Sequence, residues 1–432
     1  MATGLSLGLF ILLLFLLSLG IWVAPALIAI GYILLEFFTP APVGSLLAST
    51  IWDASWNWAL TALPLFIWMG EILFRTRLSS DMFKGLSPML SRLPGGLLHV
   101  NVVGCGIMAA VAGSSAVTCA TIGRMSIPEL TKRKYDETLS IGSLAGSGTL
   151  GLLIPPSIML IVYGVLAQQS ISRLFIAGVL PGIMIILIFM SYIAIRAKLN
   201  PSLAPKEKNN YTFLEKLIAG RHLFPVVGLI FCVLGSIYGG YATPTEAATI
   251  GVCGALLLAW FTKTLTLKSF FDSLMGAVKT SCMINFIIVG AAFLSVAMGY
   301  TGIPKQLGEI VNQYELSQIS LLIILTILYI FLGCFLEGTS MMVLTASVVL
   351  PMVQTAGIDL IWFGIYTVIV VEMAQITPPV GFNLFVLQGM TGRNILKITK
   401  AAMPFFFLML LGIIILVIFP EIVTAPVQYM IQ

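Results

Sequence analysis

Long apolar runs separated by short polar interruptions follow one another along the chain. A helix needs roughly 20 apolar residues to cross about 30 Å of hydrocarbon, and runs of this order recur from one end to the other. The stretch from Leu5 to Leu35 is too long for one ordinary span, and Gly20 and Pro25 predict the turn between two helices. The pattern predicts an all-α polytopic membrane protein.

Composition supports the same class of protein. Hydrophobic residues make up 59% of the 432 residues and charged residues only 9%, and the mean hydropathy is +1.06. A soluble protein of this length needs a charged surface that this chain lacks. The six cysteines lie inside apolar segments without the pairwise spacing of metal ligands, which predicts that they are packing residues.

Basic residues predict the orientation, because short cytoplasmic loops carry an excess of lysine and arginine. Both termini then lie outside, and 200–221 forms a cytoplasmic connector. It separates two halves of similar length, 1–199 and 222–432, which are predicted to be fused repeats. The segments placed in the cytoplasm are 75–92, 124–134, 196–221, 263–279 and the shorter 393–400.

Two segments are predicted to be hairpins that enter the membrane without crossing it. Only about thirty residues separate Arg92 from Arg124, which is enough for two short helices but not for two full spans at about 1.5 Å per residue. We expect a re-entrant hairpin over 93–128, entered from the cytoplasm, and a second over 317–356, entered from outside. Such a pair is typical of inverted-topology repeats. Two tilted spans are the alternative for each hairpin.

Adjacent prolines interrupt a long apolar segment twice, each time downstream of a Gly-Ser/Thr cluster. A proline pair breaks the helical hydrogen-bond ladder, and the freed carbonyls at membrane depth must be buried in protein or line a cavity. We therefore predict broken helices over 139–167 and 361–390. A kink for packing alone is the alternative, but two copies at matched spacing favour a binding site. The motifs are Gly113-Ser114-Ser115 with Pro155-Pro156, and Gly338-Thr339-Ser340 with Pro378-Pro379.

Each hairpin tip forms a candidate cation site together with its broken helix. Unwound carbonyls and Ser/Thr hydroxyls suit a hard monovalent cation such as sodium, while N–H groups at half-helix N-termini suit the carboxylate of an anionic substrate. Glu337 adjoins the second tip and Glu372 begins the second broken helix. Because an ionisable group inside a membrane is costly, either acid could neutralise a bound cation or carry a proton. For Glu337, the alternative is an acceptor for N–H groups of the tip.

Other acidic residues have structural interpretations. Thr243 as N-cap and Pro244 in the first turn make an ordinary helix start, in which the carboxylate of Glu246 suits the helix dipole. Glu71 is close enough in sequence to Arg75 to pair with it.

Other functional classes have less support. A membrane protease would need a nucleophile paired with a base, and no second motif accompanies either histidine. The chain contains no GxxxxGK[ST] phosphate-binding motif, so energy must come from an ion gradient or from a partner. We therefore expect no enzyme activity. An ion channel is harder to exclude, since re-entrant hairpins can line a pore.

Four motifs resemble the large membrane subunit of tripartite ATP-independent periplasmic (TRAP) transporters. The resemblance covers essentially the whole chain. It implies a multi-pass protein of the bacterial inner membrane that imports organic anions, either carboxylates or sialic-acid-like compounds. Sodium ions would be the coupling ions, no cofactor is implied, and the hairpins and broken helices would form an elevator-type moving domain. The motifs are 113–116 (GSSA), the run from Gly142 through Pro156 to Gly164, 242–247 (ATPTEA) and 376–381 (ITPPVG).

The same resemblance implies the molecules with which the chain works. A small four-helix membrane subunit would accompany it in the lipid bilayer, and a soluble periplasmic substrate-binding protein would deliver the small organic anion. No nucleic-acid partner is implied. A stand-alone sodium/carboxylate symporter with similar hairpins is the nearest alternative, and an ion channel comes after it.

Carried onto this sequence, the resemblance implies two sodium sites and a substrate site between the tips. No arginine falls at either tip, so helix N-termini and hydroxyls would have to hold a carboxylate. Glu337 and Glu372 are the possible coupling acids. The first sodium site would use Ser114, Ser115, Gly148, Thr149, Gly151 and Pro155; the second Gly338, Thr339, Ser340, Thr377, Pro378 and Gly381; and the substrate Ser115, Ser157, Thr339, Ser340 and Asn383.

Overall fold

The computed structural model of the chain describes residues 2–76, 78–205, 212–303, 306, 309, 313, 317–334, 336–378 and 381–429. All regular secondary structure within these ranges is helical. The α-helices of the first half are Ala2–Ser18, Val23–Phe38, Val43–Ser55, Ala62–Phe74, Leu78–Leu90, Leu98–Ala112, Ser115–Lys132, Glu137–Gly148, Ile158–Leu166 and Ile171–Leu199. Those that follow are Phe213–Gly220, Phe224–Tyr238, Pro244–Phe261, Leu267–Thr301, Gln318–Gly333, Gly338–Thr355, Leu360–Ala374, Phe382–Thr391, Ile395–Ile418 and Glu421–Tyr429. Short 3₁₀ helices cover Trp58–Thr61, Thr149–Leu152 and Pro201–Leu203.

Several helices are suited to a membrane. Among the described residues, 5 helices are long and apolar enough to cross one, or up to 7 if each bent helix pair counts as one span. Many large apolar side chains on the outer helices are exposed, which suits a surface that faces lipid. Examples are Phe231, Trp260, Ile327 and Phe407. The prediction of an all-α protein with several apolar spans is confirmed.

The N-terminal helices show how the turn signals act. The first two helices are Ala2–Ser18 and Val23–Phe38, and Gly20 between them has a φ of +79°, a value that glycine adopts without steric cost. Pro25 lies in the first turn of the second helix, where its missing N–H costs nothing. The prediction of two helices is confirmed, with only Gly20 in the turn itself.

Two polar pairs outside the candidate site are as expected. The hydroxyl of Thr243 accepts from the backbone N–H of Glu246, whose Oε2 lies 2.7 Å from the backbone nitrogen of Thr243. This reciprocal capping box at the start of Pro244–Phe261 confirms the structural interpretation of Glu246. Glu71 and Arg75 are also paired, with 2.9 Å between Oε2 and Nη2.

The cysteines divide into two groups. Cys105 and Cys119 are buried, as predicted for packing residues, whereas Cys334 is half-buried. Cys232, Cys253 and Cys282 are exposed, so the prediction is wrong for these three. The reason is that an apolar segment in a membrane has an outer face, and a small apolar thiol is tolerated there as readily as in the core.

Helices pack closely where glycine faces a neighbour. A Cβ on Gly31 would lie 2.9 Å from Cδ1 of Phe293, and one on Gly290 would lie 2.9 Å from the carbonyl oxygen of Ala24, so Val23–Phe38 lies directly against Leu267–Thr301. At the centre of the molecule, every residue of Leu360–Ala374 after the first is buried. This central helix carries part of the candidate site.

Candidate functional site

The first half of the candidate site consists of two helical units. The first hairpin is Leu98–Ala112 followed by Ser115–Lys132, and its turn is made by Gly113 with a φ of +58° and by extended Ser114. The first broken helix is Glu137–Gly148, the 3₁₀ turn Thr149–Leu152 and Ile158–Leu166. The turn and the break lie at the Gly-Ser and Pro-Pro motifs.

The tip of the first hairpin touches the break directly. A Cβ on Gly151 would lie 2.6 Å from the carbonyl carbon and oxygen of Ser114 and 2.6 Å from Cα of Ser115. A Cβ on Gly148 would lie 2.8 Å from Cβ of Cys119, one turn further along the hairpin. Glycine therefore lets the two backbones approach, and the structure brings Ser114, Ser115, Gly148 and Gly151 together.

Two other predicted residues face elsewhere. The Thr149 hydroxyl donates to the carbonyl of Gly146 at 2.6 Å and lies 3.5 Å from Sδ of Met409, so its side chain faces Ile395–Ile418 rather than the tip. Pro155 lies against the long helix Ile171–Leu199, with its Cγ 3.5 Å from a Cβ on Gly178.

Ser157 closes the break instead of standing free within it. Its hydroxyl donates to the carbonyl oxygen of Leu152 and accepts from the backbone N–H of Leu160 at 3.3 Å. This hydroxyl thus satisfies a carbonyl that the interrupted ladder leaves without its usual partner.

The second half of the candidate site has the same organisation. The second hairpin is Gln318–Gly333 followed by Gly338–Thr355, and the second broken helix is Leu360–Ala374 followed by Phe382–Thr391. A Cβ on Gly333 would collide with Ala374, and Sγ of Cys334 lies 3.1 Å from the carbonyl oxygen of Pro378. The hairpin turn therefore lies against the break. Pro379, the second proline of the motif, lies outside the described residues.

Glu337 organises the tip of the second hairpin. Its carboxylate caps Gly338–Thr355 by accepting from the backbone N–H of Ser340 at 3.2 Å, and it also accepts from the hydroxyl of Thr339 at 3.1 Å. The sequence left open whether Glu337 accepts hydrogen bonds from N–H groups of the tip, and the structure shows that it does. The hydroxyls of Thr339 and Ser340 are buried beside this carboxylate.

Carbonyl oxygens converge at the second break. A Cβ on Gly381 would lie 2.6 Å from the carbonyl oxygen of Gln375 and 2.7 Å from that of Thr377. The N–H of Gly381 donates to Thr377 at 2.9 Å, and that of Asn383 donates to Gln375 at 3.3 Å. The Thr377 hydroxyl is itself bonded to the carbonyl of Ala374 at 2.6 Å. The oxygens that lie close together at the second break are therefore backbone carbonyls, and the Thr377 hydroxyl is not among them.

Polar side chains without partners mark the interior of the site. Glu372, Gln375 and Asn383 are at most 1% exposed; the amide groups of Gln375 and Asn383 have no hydrogen-bond partner among the described residues, and the carboxyl group of Glu372 has only the backbone of Leu152. In the first half, the hydroxyls of Thr118 and Ser147 are buried in the same way. Buried polar groups are normally paired, so these side chains are candidates to pair with a ligand or with water.

Sequence reasoning missed three of these residues, namely Gln375, Thr118 and Ser147. For Gln375 a signal was present, since it follows Glu372 by three positions and shares its face of the helix. The two hydroxyl residues stand within runs of small residues that predict only close packing.

The two halves of the candidate site adjoin each other. A Cβ on Gly338, at the second tip, would lie 3.3 Å from Nε2 of Gln375 and 3.4 Å from Cδ1 of Leu152 in the first break. The hydroxyl of Tyr163 in the first broken helix donates to the carbonyl of Leu360 in the second, at 2.6 Å. Both breaks and the second tip therefore share one buried region.

The fold that carries this region has a counterpart among solved structures. It is similar to the crystal structure of the YdaH transporter from Alcanivorax borkumensis, with a TM-score of 0.64 and 12% sequence identity over 89% of each chain. At this level of identity, the likeness shows the fold alone.

Residues 10–422 match the family described as tripartite ATP-independent periplasmic transporter, DctM component, and the chain belongs to this family. It is 31% identical to the C4-dicarboxylate TRAP transporter large permease protein DctM of Pseudomonas aeruginosa, over 91% of each protein. It is 32% identical to the isethionate TRAP transporter permease protein DctMQ of Oleidesulfovibrio alaskensis, over 91% of this chain and 63% of that protein. The chain is thus a multi-pass large membrane subunit of a TRAP transporter, and a transport protein rather than an enzyme.

Proposed function

We propose that this chain imports a small organic anion together with sodium ions, which bind where each hairpin tip meets its broken helix. The observation that carries the proposal is that a hairpin meets a helix break closely in each half: Gly151 lies against the backbone of Ser114 and Ser115, and Gly333, just before the second tip, lies against Ala374. Two copies of one tip-and-break geometry support two cation sites of the same kind.

The donor atoms suit sodium. In the first site, the hydroxyls of Ser114 and Ser115 would act with backbone oxygens from Gly148 to Pro155. In the second site, Gly338, Thr339 and Ser340 would act with the carbonyls of Gln375, Thr377 and Pro378 and the backbone at Gly381. Glu337 and Glu372 supply negative charge beside the second site. Oxygen donors and a nearby carboxylate are what a hard cation requires in place of water.

The organic anion would lie between the tips, beside Gln375 and Asn383. The amide groups of these side chains can donate N–H bonds to a carboxylate, and both amides are buried without partners among the described residues. The relatives are named for C4-dicarboxylates and isethionate, which are small organic anions. We propose an anion of this kind, a carboxylate or a sialic-acid-like acid.

The transport cycle would use the inverted repeats 1–199 and 222–432. We propose that the two hairpins enter the membrane from opposite faces. Together with the broken helices they would form the moving domain of an elevator, which slides against the rest of the molecule. A small four-helix membrane subunit would complete the static part, and a periplasmic substrate-binding protein would deliver the anion at the bacterial inner membrane. Membership of the family supports both partners.

Loss of one hydroxyl at either tip should weaken sodium binding. A net hydrogen-bond-like interaction is worth about 1 kcal/mol, so Ser115→Ala and Thr339→Ala should each raise the sodium concentration for half-maximal uptake roughly five- to tenfold. Thr249→Ala is the control, because its hydroxyl is exposed and bonds only its own helix. Uptake by proteoliposomes at a series of sodium concentrations measures the effect. Unchanged half-saturation in both tip variants would count against these sites.

The proposed function is tested by uptake of labelled organic acids into proteoliposomes that hold this chain and the small subunit. Uptake should require both an inward sodium gradient and the purified binding protein. Uptake by this chain without the binding protein would instead identify a stand-alone symporter. Conductance without any coupling to the anion would identify a channel.

A further inference from the structure

A groove at the start of the second half of the chain is not part of the proposed transport mechanism. The short helix Phe213–Gly220 packs against Leu78–Leu90, where a Cβ on Gly85 would lie 2.7 Å from Cγ of Leu223 and 3.3 Å from the carbonyl oxygen of Ala219. The chain then bends by 57° into Phe224–Tyr238. The bend borders an open groove of about 590 Å³ lined by Met89, Lys216, Leu217, Gly220, Arg221 and Phe224.

The apolar lining of this groove is open to the surroundings. Leu217 is 66% exposed and Phe224 is 77% exposed, and Leu214 beside them is 68% exposed. The helix Phe213–Gly220 has eight residues, carries leucines on its open side and bends away from the apolar helix that follows. These features are typical of a segment that lies at the membrane interface. Its apolar side chains therefore suit acyl chains.

Two cations line the same groove without a counterion. Neither Lys216 nor Arg221 forms an ion pair within the part of the chain that the structure describes. The acid next in sequence, Glu215, is engaged elsewhere, since its Oε2 accepts from the backbone N–H of Thr212 at 2.7 Å. A phosphodiester placed between the two cations would neutralise them.

We propose that this groove binds an anionic phospholipid, with the phosphate at Lys216 and Arg221 and an acyl chain along Met89, Leu217 and Phe224. Free phosphate would need the two cations but not the apolar lining, so the groove as a whole fits a lipid. Because Leu78–Leu90 also packs against the first hairpin, a bound lipid would brace the start of the second half against the part that carries the first tip. This site lies outside the proposed transport function and does not depend on it.

The test is lipid retention by the purified full-length chain, measured by native mass spectrometry after exchange into detergent with phosphatidylglycerol or phosphatidylcholine of the same chain length. The unaltered chain should retain phosphatidylglycerol, and Lys216→Gln with Arg221→Gln should lower that retention at least about tenfold. Lys268→Gln with Lys279→Gln, which removes two exposed lysines from another helix, should leave it unchanged.

Two further measurements separate a lipid from its headgroup. Leu217→Gln with Phe224→Gln should also lower phosphatidylglycerol retention, and glycerol phosphate in excess should not displace the lipid. The proposal would be overturned if the Lys216/Arg221 and Lys268/Lys279 double variants lost phosphatidylglycerol to the same extent. It would also be overturned if the chain showed no preference for phosphatidylglycerol, or if glycerol phosphate displaced the lipid. The apolar residues changed are exposed, so in detergent without added lipid every variant should have a normal melting temperature.

Discussion

Alanine at Gly151 or at Gly381 is expected to reduce sodium-driven uptake at least about tenfold. The added methyl group at Gly151 would lie 2.6 Å from the backbone of Ser114 and Ser115, and that at Gly381 would lie 2.6 Å from the carbonyl oxygen of Gln375. Backbone atoms cannot turn aside as a flexible side chain can. Overpacking of this kind costs about 1–3 kcal/mol, or roughly a factor of ten or more, and here the strain falls on the proposed cation ligands themselves.

Gly389→Ala is the matched control for both variants. Gly389 also lies in a broken helix, but a Cβ there has no other atom within 4 Å, so transport should be unaffected. Melting temperature and elution volume of the purified variants separate loss of function from loss of fold. Folded Gly151→Ala protein that transports as well as Gly389→Ala would show that the tip and the break need not be in contact.

Glu372→Gln is expected to abolish uptake while leaving the protein as stable as before, or more stable. The carboxyl group is 1% exposed, contacts only the backbone of Leu152 as a hydrogen-bond partner, and has no cation paired with it among the described residues. Burying an ionisable group without a paired cation costs folding free energy, so replacing the carboxyl group by a neutral amide should lower that cost. The proposal that Glu372 is a coupling acid requires its charge or proton in the transport cycle, so the neutral amide should stop transport.

Glu246→Gln makes the same chemical change at an exposed position. Glutamine can replace glutamate in the capping box that Glu246 forms with Thr243, so both uptake and melting temperature should stay close to those of the unaltered chain. The two variants are compared by uptake and by thermal unfolding in sodium-free and in sodium-containing buffer. Full activity of Glu372→Gln, or a lowered melting temperature without sodium, would assign Glu372 a purely structural role.

The helix breaks could be predicted from the sequence because their causes are local. Gly113 adopts the left-handed φ of +58° without steric cost, next to small polar residues that favour a turn, and the Pro155-Pro156 pair removes two helical N–H donors. The same reasoning predicts the capping box at Thr243. These features depend on a few neighbouring residues, so one sequence is enough to find them.

Side-chain directions could not be predicted, because they depend on distant contacts. Thr149 follows the helix Glu137–Gly148, which packs on Ile395–Ile418, and its hydroxyl meets Met409 of that helix instead of the hairpin tip. Gln375 is buried where Gly338 of the second hairpin and Gly381 of the break lie against it. The sequence pattern identifies the candidate residues, whereas the tertiary contacts decide which polar groups are left without a partner.

Radioactive sodium uptake driven by an inward gradient of the organic anion is the most direct test of the account. The measurement uses proteoliposomes that hold this chain, the small subunit and the binding protein, with no initial sodium gradient. We predict that sodium enters only when the transported anion is present, and that anion uptake rises more than linearly with sodium because two sites must fill. Anion uptake that carries no sodium with it would contradict the account.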